Sequence, residues 1–321
     1  MKIQINKPKR VQKVAPDPKP APASESLVTM IHRESKKKRP ARPHARVHAS
    51  DLDPSREWCP REPAVLTMFG IKRPDDFLPT HLQFTFSMGY ATADSVMRII
   101  PRDRIWGNWK CRACGHVHLH RYAPDTCGHC GGSARALRYE EVLLQDPDTK
   151  QVGSADLIVD LAKDGRKTIV EIKSEGKAGW SERDAPTPDH AWRTRLYLRL
   201  ASVTPWLRNR GVDFQSARIL YACKDGHDPS PELKEAGVRD AHRSPFKEYV
   251  VRRCDEVLAA ADEKLTEWLK FKEAYDTGAS LPWPDGVCSS GTCSRARRCP
   301  ARDHCFNVVG AASGPPRGTE S

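Results

Sequence analysis

The sequence predicts an α/β protein built on a mixed central sheet, and three observations carry that expectation. Short apolar runs rich in Val, Ile and Leu alternate with segments of helical period between residues 82 and 277. The pair Asp164-Gly165 stands between two such runs, QVGSADLIVDL and RKTIVEIKS, as a two-residue hairpin signal. Eight of the eleven cysteines fall in two clusters, which points to bound metal in a reducing compartment.

The chain has 321 residues, 38% of them hydrophobic and 29% charged, enough to bury one large core or two small ones without disulfides. No apolar run approaches the roughly 18 residues of a membrane span, so no membrane partner is expected. The opening MKIQINKPKRVQKVAP carries charge and proline where a secretory signal is apolar, and a cytoplasmic protein is expected. Net charge is +12, and residues 1–50 hold 13 Lys/Arg against 3 Asp/Glu, so the excess sits at the front. Residues 1–46 read as a basic, mostly disordered tail with a short helix near Leu27–Ile31. The tail serves equally well as an arm for phosphates or as a solubilising segment. Residues 311–321 read as a disordered end.

Elements follow in order within a domain spanning 47–310. Residues 82–100 have helical period. A cysteine-rich insert occupies 109–132. RYEEVLLQ, QVGSADLIVDL and RKTIVEIKS read as three strands. The segment HAWRTRLYLRLAS reads as a helix with Thr187 as N-cap and Pro188 as first helical residue. ARILYACK is β-rich. A strand and a long helix fill 245–277, with Val257, Leu258, Ala261, Leu265 and Leu269 on one face and Gly278 as the stop.

Cys111, Cys114, Cys127 and Cys130 form two Cys-x-x-Cys knuckles twelve residues apart, with Gly115 and Gly128 easing the turns. Four thiolates at that spacing suit tetrahedral Zn²⁺, which leaves His116, His118 and His120 as solvated loop residues. A second group, Cys288, Cys293, Cys299 and Cys305 in segment 286–306, is spaced too widely for a zinc ribbon and suits a larger iron–sulfur core. Cys59 stands alone upstream. Cys223 and Cys254 read as buried packing residues.

If Asp164-Gly165 forms the whole loop, facing positions sum to 329, placing Asp156 opposite Lys173 and Ile158 opposite Glu171. Asp156, Glu171 and Lys173 then share one face. Two carboxylates and a lysine on otherwise apolar strands are costly unless they bind something, and hard oxygen ligands suit Mg²⁺ or Mn²⁺. The lysine can orient a water or neutralise charge on a phosphate in transfer. The plainer reading is an exposed sheet face with a salt bridge.

Gly153-x-x-Asp156, Glu171-x-Lys173 and a following helix with Tyr197 resemble the PD-(D/E)XK nucleases of the RecB type. Cys59 with Cys299-x5-Cys305 is similar to the split iron–sulfur staple of the CRISPR-associated exonucleases and the AddB nuclease domain. GNWKCRAC, ILYACKD and the closing CP-x4-CF look most like phage-encoded members. The resemblance spans about Ser50 to Val309. It implies a restriction-endonuclease-like mixed sheet flanked by helices, and a Mg²⁺- or Mn²⁺-dependent deoxyribonuclease. Such an enzyme acts on DNA ends or single strands, in recombination, replication or repair alongside proteins of those pathways.

The resemblance further implies Asp156, Glu171 and the Ile172 carbonyl as metal ligands, Lys173 as the catalytic lysine and Tyr197 as a DNA contact. Arg193 stands where relatives carry glutamine, and Trp180 is a candidate for stacking on a base. Trp180 folded back on the core is the competing expectation. Lys224 reads as a strand-end surface residue. Where relatives place a metal-binding histidine the chain has Ala93, four residues after Gly89; Asp94, Glu140 or Glu141 is the substitute carboxylate. The implied four-iron cluster takes Cys59, Cys299, Cys305 and Cys288, with Cys293 as the alternate. It would close a loop of roughly 250 residues as a structural staple. The alternative is a catalytically degenerate DNA-binding protein on the same fold.

Overall fold

The computed structural model describes residues 46–54, 59–68, 71, 80–224, 245–279, 287–288 and 290–308. The expected basic tail up to residue 45, its short helix and the terminal segment from 309 lie outside the described residues. Among the described residues no helix is long and apolar enough to cross a membrane.

Two sheets carry the fold. The larger runs β10-β9-β8-β7-β2-β3, with β4 also paired to β2. Its strands are β2 (Ile105–Cys111), β3 (Val117–Tyr122), β4 (Leu137–Glu140), β7 (Leu157–Val159), β8 (Lys167–Glu175), β9 (Val212–Cys223) and β10 (Phe246–Arg252). Only β8 and β9 are parallel; the other pairs in this sheet are antiparallel. The smaller sheet orders β1 (Val47–His48), β6 (Gln151–Ala155) and β5 (Val142–Gln145). The architecture is mixed α/β, as the alternation of runs predicts.

Helices cover both faces of the large sheet. Helix α1 (Arg61–Met68) packs on the long α5 (Ala259–Thr277), away from the sheet centre. Helix α2 (Thr80–Ile99) lies over β8, where the position of a Gly89 Cβ would be 3.6 Å from Ser174 Oγ. Its Val96 joins Leu157, Val159, Val170 and Ile172 of the sheet below in one apolar cluster, with Ala93 of the same helix packed against it. After the short α3 (Lys177–Ser181) comes α4 (Pro188–Val203), which begins as expected with Thr187 as N-cap and Pro188 inside. Helix α4 covers the opposite face, burying Trp192, Leu196 and Leu200 with Ile158 and Ile169. Full burial of one such Leu side chain stabilises by about 1.5–3 kcal/mol. Helix α6 (Ser294–Arg297) is a single turn near the C-terminal cysteines, followed by a π-helical turn at His304–Val308. Gly278 takes φ +69°, ending α5 in the left-handed region that favours glycine.

Three strand expectations need correction. RYEEVLLQ is divided at Glu141 between β4 and β5, and QVGSADLIVDL is divided at Asp156 between β6 and β7, so each run feeds both sheets. The register of β7 on β8 is Leu157 to Val170, a sum of 327 and not 329. The connection is longer than two residues, since Asp160–Arg166 lie outside both strands. Asp160 Oδ2 accepts the Gly165 N–H (3.0 Å) and the Tyr122 hydroxyl (3.1 Å), bracing that loop. A slip of two residues leaves every side chain on its expected face, because the strand period is two.

Candidate active site

The sheet places Glu171 and Lys173 on the α4 face and Val170 and Ile172 on the α2 face, as strand alternation requires. Asp156 lies at the bend between β6 and β7. The 327 register, carried one step further, sets it level with Glu171. Its Oδ2 accepts the Ile172 N–H at 2.8 Å, fixing the carboxylate against β8. Lys173 Nζ donates to Glu171 Oε1. Glu171 is 3% exposed, and among the described residues its Oε2 has no hydrogen-bond partner.

Burial, with the Asp156 charge beside it, pushes the Glu171 carboxyl up to about 8; the pull of Lys173 the other way is outweighed. Lys173 is half-buried, and desolvation lowers its pKa, yet the two carboxylates hold it above its ordinary value. Two acidic groups and a buried orphan oxygen around one spot form a place where a divalent cation would relieve both the repulsion and the missing hydrogen bond. The donor set therefore fits the expected ion. Asp156, Glu171 and the Ile172 carbonyl are the groups that would hold it, as Lewis acid for a phosphoryl oxygen.

Helix α4 supplies the roof. His190, Arg193 and Tyr197 recur at helical spacing on its sheet-facing side. Arg193 reaches the buried Asp53 carboxylate at 3.7 Å and acts electrostatically on both Glu171 and Lys173. Tyr197 has its hydroxyl pKa raised by burial and by Glu171. Gly153 explains itself here: a Cβ would stand 2.8 Å from the Tyr197 ring. His190 is a participant the sequence reading missed. Burial first and the Lys173 charge second lower its pKa to about 4, and its Nδ1 lies 2.8 Å from the Tyr221 hydroxyl. Its position three residues before Arg193 on one helix face was the available signal.

Of the three substitute carboxylates, Asp94 pairs with Arg98 at 2.6 Å and Glu140 with Lys110 at 3.5 Å, both at the surface. Glu141 is the one that senses the site. Partial desolvation and the Asp156 charge raise its carboxyl, while Lys173 and Ser154 oppose the rise. Ala93 packs among apolar side chains on the α2 face.

Trp180 does not join the group. It is 0% exposed, with Lys247 Nζ 4.4 Å above its ring and 2.7 Å from its carbonyl oxygen, so it cannot stack on a base. The competing expectation, a tryptophan folded onto the core, describes it. Lys224 is exposed at the end of β9, as expected.

The first cysteine cluster is assembled. Sγ atoms of Cys111, Cys114, Cys127 and Cys130 all lie within 4.8 Å of one another, and two pairs stand at 3.7 Å. The edge of a tetrahedron with metal–sulfur bonds of about 2.3 Å is close to that length, so the four could hold one metal ion. Each knuckle ends on a left-handed glycine, Gly115 (φ +75°) and Gly131 (φ +72°); the second turn uses Gly131 in place of the expected Gly128. Backbone N–H groups of Cys114 and Cys130 help draw the Cys111 and Cys127 thiols down to about 7. Two histidines depart from the solvated reading. His118 is buried with Nε2 3.4 Å from Cys127 Sγ, and His120 is stacked between Trp106 and Trp206.

In the second group, Cys59, Cys288, Cys299 and Cys305 line one small cavity, together with Arg61, Glu62, Arg295 and Arg302. Cys293 Sγ accepts the Ala296 N–H at 3.3 Å, capping α6, and its thiol also hydrogen-bonds that of Cys288 at the cavity's edge. Burial raises the Cys59 thiol to about 12 and that of Cys288 to about 11. Cys223 is buried as expected, but Cys254 is half-buried and donates to Glu256 at 3.5 Å.

Among solved structures the chain is similar to an alkaline exonuclease (LHK-Exo) from Laribacter hongkongensis, 12% identical, covering 73% of this chain and 92% of that one with TM-score 0.40. The same protein in complex with dAMP gives 12%, 73%, 92% and 0.38. A phage-related exonuclease from Haemophilus somnus 129PT gives 14%, 72%, 94% and 0.37. No family model and no curated protein matches the chain.

Proposed function

We propose that this protein is a Mg²⁺- or Mn²⁺-dependent deoxyribonuclease that hydrolyses phosphodiesters at DNA ends or in single strands. The observation that carries the reading is the meeting of Asp156, Glu171 and Lys173 on one face of β8, with the buried Glu171 Oε2 left without a hydrogen-bond partner among the described residues. In this reading Asp156, Glu171 and the Ile172 carbonyl hold the ion. Lys173 orients the attacking water and neutralises charge growing on the phosphoryl oxygens. Arg193 and Tyr197 position the phosphate, and Glu141 takes the place of the family's histidine. The knuckle cysteines hold Zn²⁺, and Cys59, Cys288, Cys299 and Cys305 hold an iron–sulfur cluster that ties the start of the domain to its end.

End-labelled single-stranded DNA incubated with Mg²⁺ or Mn²⁺ tests this. Wild type is expected to shorten the strand and Lys173→Ala to slow that by about 10²–10³. If both bind DNA and both are inert, the degenerate DNA-binding reading replaces the enzymatic one. Absorbance near 400 nm together with bound iron checks the cluster; a colourless anaerobic preparation with two zinc ions per chain contradicts it.

A further inference from the structure

Strand β2 connects the carboxylate pocket to the cysteine knuckle. The β2–β7 ladder pairs Ile105 with Val159 and Trp106 with Ile158; one further step on each face brings Asn108 level with Asp156. From there β4 replaces β7 as the neighbour of β2, pairing Asn108 with Glu140, Lys110 with Arg138 and Cys111 with Leu137. The Asn108 side-chain amide donates to the Glu141 carbonyl (3.4 Å), tying the ladder to the pocket rim.

Face parity can be read from what is buried. Ile105, Trp109, Cys111, Leu137 and Tyr139 join the cluster that contains Val170 and Ile172. Lys110 and Arg138 therefore project from the other face, the one that carries Glu171 and Lys173. Lys110 stands two residues beyond Asn108, a step of about 7 Å along the strand. Arg112, the next residue of that parity, sits inside the first knuckle, where its backbone N–H donates to the Ala136 carbonyl at 2.8 Å.

Two cations directly opposite each other on neighbouring strands destabilise a sheet unless an anion lies against them. Lys110 has Glu140 at 3.5 Å. Arg112, Arg135 and Arg138 are exposed, and among the described residues none of them has an ion-pair partner. The arrangement is a basic row that starts at Lys110, one two-residue step beyond Asn108 and partly balanced by Glu140, and runs through Arg138 to Arg112 at the cysteine knuckle.

We propose that this row, Lys110, Arg138 and Arg112, is a phosphate track for the single strand entering or leaving the pocket, and that the knuckle serves as a DNA-binding clamp. The proposal rests on the nuclease reading for its direction toward Asp156 but not for the binding itself. Side chains on one strand face recur every 7 Å or so, a spacing that lets successive basic groups meet successive phosphates of an extended strand.

The test uses the full-length, metal-loaded protein and a fluorescein-labelled single-stranded 20-mer, with anisotropy read across a salt series without added Mg²⁺ or Mn²⁺. R112E/R138E is expected to raise Kd at least tenfold. It should also make the slope of log K against log salt shallower by about 1.4, two contacts at about 0.7 each. R112Q/R138Q should move both in the same direction by less, which covers the case where charge reversal impairs folding; zinc content monitors the knuckle. R208E/R210E reverses two exposed arginines at the far end of β8 and is expected to change Kd less than twofold. Unchanged affinity and slope in the knuckle variants, or equal weakening in the control, overturns the proposal. Hydrolysis of thymidine 5′-(p-nitrophenyl phosphate) with Mn²⁺ reads the pocket separately. Wild type inert on that ester and on DNA defeats the nuclease reading, while the affinity comparison still decides the track.

Discussion

The two faces of β8 make opposite use of the same strand. On the α2 face Val170 and Ile172 are apolar neighbours of Val96 and Leu157, and every contact there is one a core would choose. On the α4 face Glu171 is as buried and Lys173 half-buried, yet they hold charge, like-sign repulsion from Asp156 and an oxygen without a hydrogen bond among the described residues. A fold selected for stability alone would fill that face with hydrocarbon, because a buried ion pair seldom gains more than its desolvation costs. The difference separates what holds the sheet together from what the sheet holds in place.

The largest expected break in that comparison is Glu171→Gln. Nuclease rate should fall by about 10²–10³, while metal-free stability moves the other way at alkaline pH. The sign follows from linkage. The Glu171 pKa is about 8 folded against 4.5 unfolded, so between those values the folded state holds a proton that the unfolded state has lost. The stability it contributes is full below about 4.5 and lost as pH rises through about 8. Thermal melts of the metal-free protein should show wild type losing stability across that window and Glu171→Gln losing less. Parallel curves would contradict the assignment.

Ile172→Ala, on the other face of the strand, should cost about 2–5 kcal/mol in urea unfolding. Its pH dependence should track wild type, and enough folded protein should retain nuclease activity. A loss of activity as large as that of Glu171→Gln in folded protein would erase the distinction between the faces. Gly153→Ala should have the smallest effect, about 1–3 kcal/mol of overpacking against the Tyr197 ring. Rate should fall with displacement of Tyr197, and unchanged stability would mean the ring moves freely.

Much of this comparison could be read from sequence, for a specific reason. The hairpin register was misplaced by two residues, yet strand alternation has a period of two, so Asp156, Glu171 and Lys173 kept their common face. The knuckle was legible because its four ligands sit within twenty residues and two repeated turns. What escaped depends on contacts between distant segments. Glu141 and Asp156 are the points where a continuous apolar run passes from one sheet to the other, and nothing in local periodicity marks such a transfer. Trp180 is buried because Ile219, Tyr221 and Val251 of β9 and β10 pack with it and Lys247 lies over its ring, and His118 because the second knuckle closes on it. The cavity shared by Cys59 and Cys288 joins chain ends that spacing alone could not pair; the family resemblance suggested it.

Anomalous scattering from crystals soaked in Mn²⁺ shows whether Asp156 and Glu171 hold a divalent ion between them. A peak is expected bonded to carboxylate oxygens of both Asp156 and Glu171, beside Lys173 Nζ and absent in Glu171→Gln. Density between those side chains that stays empty at saturating Mn²⁺, or a peak bound only at surface acids, would contradict it.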